Sequence, residues 1–320
     1  MTVAFGVGAC IGFAEESIYG TALTPTNWTE IESESIQATR GAVLRPTLRT
    51  RSTRYYQKKK YDTSGSFTAP VCYRGNIDLL FKHALGSVAT GAANGDSAYV
   101  HTFTCADAIP VGLTLEVHRD PTAATKAFQF PGCQIGKLTL KQEAEAPLMA
   151  EIEVTGNGTR SQITATTESY PTVTSIDWDD FALTMNGTAV TPRTFEVTVT
   201  NPLADDRYNL GTVTRKGLGP SGPREVTGTV ELEFDGLTQV GYFENLTEAN
   251  LLATWTGPTA AGSTAYAMTV QVPRAVFDTD GMETADEGPY ILKMPFKGVY
   301  DITNGLGEIQ MTMTNLNSSV

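Results

Sequence analysis

The residues of this 320-residue chain whose types could do chemistry are three histidines, four cysteines and a few paired carboxylates, and their spacing is the first test of any activity. His83, His101 and His118 are too far apart to form a metal-ligand pattern, which predicts packing or surface roles. Cys10, Cys72, Cys105 and Cys133 form no CxxC pair, and no local pattern joins one of them to a base. They are expected to be free and mostly buried thiols, neither a disulfide scaffold nor a nucleophile. Asp179-Asp180 and Asp205-Asp206 raise the paired carboxylates of a glycoside hydrolase, but neighbours in a strand point to opposite faces. Asp278, Asp280, Glu283, Asp286 and Glu287 make an acidic, turn-rich segment that lacks a full calcium loop. Gly6 to Gly12 has the look of a dinucleotide fingerprint, yet its third glycine is one position late and no βαβ unit follows. The expectation is therefore no catalytic residue, no metal and no cofactor.

Charge is more informative. Arg40, Arg45, Arg49, Arg51, Arg54, Lys58, Lys59 and Lys60 fall in one window without an acidic residue, whereas the whole chain carries −12 from 35 acidic and 23 basic residues. A basic arm on an acidic body favours head-to-tail self-association. A solvated loop is the bland alternative. A nucleic-acid arm is another, since Tyr55 and Tyr56 sit among the cations. The acidic total argues against a body that grips phosphates.

The elements that would position these residues are short strands. Thr229-Val230-Glu231-Leu232-Glu233-Phe234 alternates strictly, as do Glu151-Ile152-Glu153-Val154, Phe195 to Val199 and Ile309 to Met313, so each strand has an apolar and a polar face. A first helix is expected from an N-cap at Asn76 through Leu79, Leu80 and Ala84 to Gly86, and a second near Thr238 with Val240 and Phe243. No apolar run is long enough to span a bilayer. The N-terminus lacks a basic n-region and runs into Glu15-Glu16, which predicts a product made in the cytoplasm.

Internal similarity suggests a duplication. Thr63 to Phe67 matches Val226 to Val230, Gly112 to Arg119 matches Ala267 to Arg274, and Glu151 to Thr155 matches Glu308 to Thr312. The last two segments are each expected to close a hairpin, with Lys137 to Leu140 and with Tyr290 to Lys293. The fold expected is mainly β: two tandem antiparallel β-sandwich or barrel domains, each with a short flanking helix. They would cover 1–165, including an N-terminal arm and the basic loop 40–60, and 166–320. The seam would lie in the Thr- and Ser-rich stretch from Thr159 to Thr174.

Phe13-Ala14-Glu15-Glu16-Ser17-Ile18-Tyr19-Gly20-Thr21, followed by Pro25, Trp28 and Ile31 to Ile36, resembles the opening of siphophage tail tube proteins. The Gly65 strand before a helix and the Asn186-Gly187-Thr188 turn continue the likeness along nearly the whole chain. The resemblance implies a structural virion protein of the phage tail, without catalytic residues, that polymerises as stacked rings into a hollow conduit for the genome. A duplicated chain would then form trimeric, pseudo-six-fold rings. Arg45, Arg49, Arg51, Arg54, Lys58, Lys59 and Lys60 are the expected inter-ring contact, and Glu151, Glu153, Glu231 and Glu233 the expected lumen wall. Expected partners are other copies, the tape measure, tail tip and terminator proteins, and DNA in transit, with no membrane. A minor tail or receptor-binding protein is the rival reading.

Overall fold

Strands that alternate apolar and polar residues can cover a core with one face only, and this chain is built almost entirely from such strands. A computed structural model describes residues 8–93, 96–119, 127–170, 175–234, 236, 238–279, 282–283 and 290–320. The first half holds β1 (Cys10–Glu15), β2 (Asn27–Glu30), β3 (Ser33–Glu34), β4 (Gln37–Arg45), β5 (Tyr55–Pro70), α1 (Asp78–Leu85), β6 (Gly86–Ala92), β7 (Tyr99–Cys105), β8 (Leu113–His118), β9 (Ala127–Glu143), β10 (Met149–Gly156) and β11 (Ser161–Ile163). The second holds β12 (Phe181–Met185), β13 (Thr188–Val190), β14 (Pro192–Thr200), β15 (Glu225–Glu233), α2 (Val240–Glu244), β16 (Ala249–Ala261), β17 (Thr264–Phe277), β18 (Met282–Glu283), β19 (Ile291–Gly298) and β20 (Gln310–Asn315).

All pairings are antiparallel. In the first half they run β4–β5–β10–β9–β8–β1–β2, with β11 on the far edge of β9. In the second they run β14–β15–β19–β17–β16–β12–β13, with β20 on the far edge of β17. The two paths visit their strands in the same chain order. Strand β9 starts in an outer sheet against β8 and ends in an inner sheet against β10, turning at Pro131-Gly132, where Gly132 has a φ of 66°. Strand β17 makes the same passage from β16 to β19. Two seams join the halves: β9 pairs with β14 over Lys137 to Glu143, and the β6–β7 hairpin lies on β20.

One continuous apolar core lies between the inner and outer layers, from Phe13, Phe130 and Ile152 in the first half to Trp255, Phe277 and Phe296 in the second. The mainly β class is as the alternation predicts. Two local expectations are corrected. Asn76 does not cap α1: it has a φ of 58°, and Ile77 holds the cap position without a side-chain bond, while Gly86 closes the helix in the left-handed conformation. Strand β20 does not pair with β19; it pairs with β17 and β7. In the two pairing orders β17 takes the place of β9, not of β8, which holds the Gly112–Arg119 match that its residues suggest. A period of two recurs in every strand, so a short match cannot tell one strand from its neighbour.

The Glu15-Glu16 pair has a structural role. Glu16 is buried and accepts from the Gly20 amide at 2.6 Å, the Thr114 hydroxyl at 2.7 Å and the Gly132 amide at 2.8 Å, fixing the turn after β1 against β8 and β9. Glu15 meets Lys82 Nζ at 2.6 Å and His83 Nε2 at 3.5 Å, which anchors α1. The bond to His83, then that to Lys82, outweighs burial and holds the Glu15 carboxyl down at about 2. A carboxylate with a lowered folded pKa contributes stability that is complete above its unfolded value of 4.5 and is lost as pH falls toward 2. Burial also lowers the His83 pKa, so acid costs stability there too. Glu15→Gln is expected to lower the melting temperature most near pH 6 and distinctly less at pH 2.5. A deficit that stays constant between those pH values would show that the ionised carboxylate is not what anchors α1.

Candidate assembly interface

The eight-cation window is a projecting ribbon. Strands β4 and β5 pair from Gln37 opposite Ser64 to Arg45 opposite Tyr55, a reach of about 30 Å at the usual strand rise. Beyond Thr39 on β4 and up to Lys60 on β5, every residue is exposed. Leu44 lies opposite Tyr56, and Leu44, Leu48, Tyr55 and Tyr56 are bare apolar side chains. Arg40 donates to the Tyr61 hydroxyl at 2.8 Å and stacks on that ring, Arg45 donates to Gln57 at 2.5 Å, and Lys60 lies 4.0 Å above the Tyr208 ring. Among the described residues, none of the window's cations is paired with a carboxylate.

The base of the ribbon is held by a residue that sequence reasoning passed over. The β14–β15 connection, residues 201–224, folds back onto the first half, where Tyr61 donates its amide to the Val213 carbonyl and Tyr208 its hydroxyl to the Tyr61 carbonyl. Arg215, only 4% exposed, lies at the centre. Its guanidinium reaches the Asp205 carbonyl at 2.7 Å, the Gly156 carbonyl at 2.5 Å and the Asp62 carboxylate at 2.5 Å. Asp205-Asp206 thus lies in a loop, not a strand. Asp179-Asp180 lies in a 3₁₀ turn, where Asp180 accepts from the Tyr73 hydroxyl.

The four glutamates singled out from alternation share the solvent face of the inner sheet. Rows across that sheet read Thr68, Glu151, Thr139, Thr198, Thr227 and Lys297, then Glu143, Thr194, Glu231 and Lys293, while Glu153 lies beside Lys137 and Glu233 beside Ile291. The opposite face carries Ile152, Val154, Leu138, Leu140, Val197, Val230 and Met294 into the core. Lysines interleave the acids, and each is held: Lys137 to Glu153 at 3.3 Å, Lys141 to Glu143 at 2.6 Å, Lys293 to Glu231 at 3.0 Å and Lys297 to Asp278 at 2.5 Å. The bond from Lys293 lowers the Glu231 pKa. The alternation of Lys137-Leu138-Thr139-Leu140-Lys141 already carried this signal.

Buried histidines account for the rest of the chemistry-bearing set. His101 joins Thr90, Asn315 and the Asn317 carbonyl across β7 and β20. Strand pairing sets Cys10 directly opposite His118. His118 Nε2 is 2.7 Å from Glu116 and Nδ1 is 3.0 Å from Glu168, whose segment crosses the outer face of β8 and is tied there by Thr166 to Glu116. Burial opposes charge on the imidazole, but bonds to Cys10, Glu116 and Glu168 outweigh it and raise the His118 pKa to about 10. Sequence spacing gave no metal pattern, yet folding brings Cys10, His118 and Glu168 together. All four cysteines are free, as expected. Asp280 to Gly281 and 284–289, which include Asp286 and Glu287, lie outside the described residues, as do Gly6 and Val7. Gly12 lies in β1, and β2 pairs back antiparallel on that strand, so no nucleotide-binding helix follows.

A family model described as phage tail tube protein matches residues 6–292. No curated protein matches the chain.

Proposed function

The chain belongs to the phage tail tube protein family and is a structural subunit of the virion tail, and from that premise we propose that it polymerises as stacked trimeric rings around a lumen lined by its inner sheet. The observation that carries this reading is the β9–β14 seam. It makes one sheet of β4–β5–β10–β9–β14–β15–β19, with a single polar face across both halves. Under the proposed duplication, 1–165 and 166–320 are two copies of one unit, and β4 is the counterpart of β14. The inner edge of the second half, beside β17 and β18, would receive β4 of the next chain as β9 receives β14. Three chains then supply six units.

Glu151, Glu153, Glu231 and Glu233 would face the lumen with Glu143 and Glu196. Because the wall lysines are held by carboxylates, passing DNA meets few free cations, and little counterion release drives it to bind. An isolated two-stranded ribbon is marginal in water. The bare apolar residues of β4–β5 therefore favour a partner surface, and unpaired Arg45, Arg49, Arg51, Arg54, Lys58, Lys59 and Lys60 favour an acidic one, the next ring. Such a heterologous contact does not close, so it yields a filament. Tape measure, tail tip and terminator proteins would meet the tube at its lumen and ends, and synthesis would be in the host cytoplasm. His83, His101 and Glu16 hold neighbouring elements together, which supports a protein without enzymatic activity.

Negative-stain microscopy across a concentration series, with native mass measurement of the smallest assembling species, tests the reading. Trimeric rings that stack into hollow tubes are expected. Hexamers of the full chain would overturn the duplicated ring, and a monomer that never assembles would overturn self-driven polymerisation.

A further inference from the structure

We propose that Cys10, His118 and Glu168 bind one zinc-class divalent cation, with Glu116 orienting the histidine from behind. The thiol sulfur, an imidazole nitrogen and a carboxylate oxygen lie within 4.8 Å of one another. A tetrahedral zinc with bonds of about 2.0–2.3 Å holds its ligand atoms roughly 3.3–3.8 Å apart, so a small shift of three side chains supplies three corners of the shell. Sulfur, nitrogen and oxygen donors together suit zinc or cobalt and not magnesium or calcium.

The surroundings are those of a built site. Cys10 and His118 are fixed on one face of the β1–β8 pair by their register, and Trp28 packs 4.8 Å from the imidazole. Glu116, fully buried, lies 2.7 Å from Nε2 and so leaves Nδ1 directed toward Glu168 at 3.0 Å. A carboxylate behind the imidazole is the usual means of fixing the tautomer of a metal-bound histidine. Glu116 is itself held by the Thr166 amide and hydroxyl, and Tyr170 donates to the other oxygen of Glu168 at 3.2 Å.

Charge balances on binding. The cation displaces the thiol proton of Cys10 and the Nδ1 proton of His118. Two positive charges enter and two protons leave to solvent, so the net charge of this buried cluster is unchanged and Glu116 keeps its counter-charge. Water supplies the fourth ligand. The bound ion would tie β1, β8 and residues 164–170, the stretch leading from the first half to the second, into one crosslink whose binding free energy adds to folding.

The full chain, stripped with chelator, is titrated with Co²⁺ and then Zn²⁺ while absorbance, elemental content and melting temperature are followed. One metal per chain is expected, with a near-ultraviolet thiolate-to-cobalt band that zinc abolishes and a raised melting temperature that chelator reverses. Cys10→Ser should remove the band. Glu168→Gln, on a segment outside the strands, should weaken binding while the apo protein still folds and melts cooperatively. Glu116→Gln should keep the band but cost about 10- to 100-fold in affinity. Less than about a tenth of an equivalent of metal after dialysis would overturn the site, as would undiminished binding in the Cys10→Ser, Glu168→Gln double variant.

Discussion

Rings without tubes are the expected product when Arg45, Arg49, Arg51 and Arg54 are all changed to Glu. These residues lie on or beyond the paired part of β4–β5, exposed and without ion partners in their own chain, so their replacement leaves the core and both seams untouched. Exposed substitutions of this kind shift stability by about 0.5 kcal/mol or less each. Their effect on stacking is of another size. Like charges set against each other across an interface cost several kcal/mol, and each 1.4 kcal/mol is about tenfold in association. The concentration needed to form tubes should rise by roughly a thousandfold or more, while native mass measurement still finds the ring. Raised salt should weaken wild-type stacking for the same reason. Tubes of ordinary length from the variant, at ordinary concentration, would show that the ribbon does not join the rings.

What the sequence made legible follows from the period of the strand. Alternation put Glu151, Glu153, Glu231 and Glu233 on polar faces, and the fold joins those faces in one sheet. Acid-free composition located the ribbon, because unpaired cations cluster only where no body surface neutralises them. The limits have the same origin. Alternation says which face a residue takes but not which strand lies beside it, so β20 was set against β19 when it belongs between β17 and β7. Local capping rules failed at Asn76, where the tertiary path requires a left-handed residue before α1. Neither period nor spacing could bring Cys10 beside Glu168, since a segment without regular structure carries Glu168 across β8.

Arg215 marks the same limit, and replacing it should produce the largest single-residue loss of stability among the polar positions. Thr214-Arg215-Lys216 reads as an ordinary solvated turn, but the guanidinium is buried between the halves and satisfies two carbonyls and Asp62 at once. Arg215→Met keeps much of the side-chain volume and removes every donor. The Gly156 and Asp205 carbonyls then lose a partner, and Asp62 loses its counter-charge. Removing one member of a buried pair costs about 3–5 kcal/mol, with the lower end apt here because Asp62 is partly exposed. A chain this size should lose roughly 5–10 °C in melting temperature. Asp62→Asn, which keeps an acceptor in a wetter position, should cost less than half as much. The double variant should cost little more than Arg215→Met alone, because the two groups share one bond. Since Tyr61 and Asp62 are where the ribbon leaves the body, proteolysis of residues 40–60 should also quicken in Arg215→Met. Unchanged melting and unchanged cleavage would mean that the 201–224 connection does not brace the ribbon.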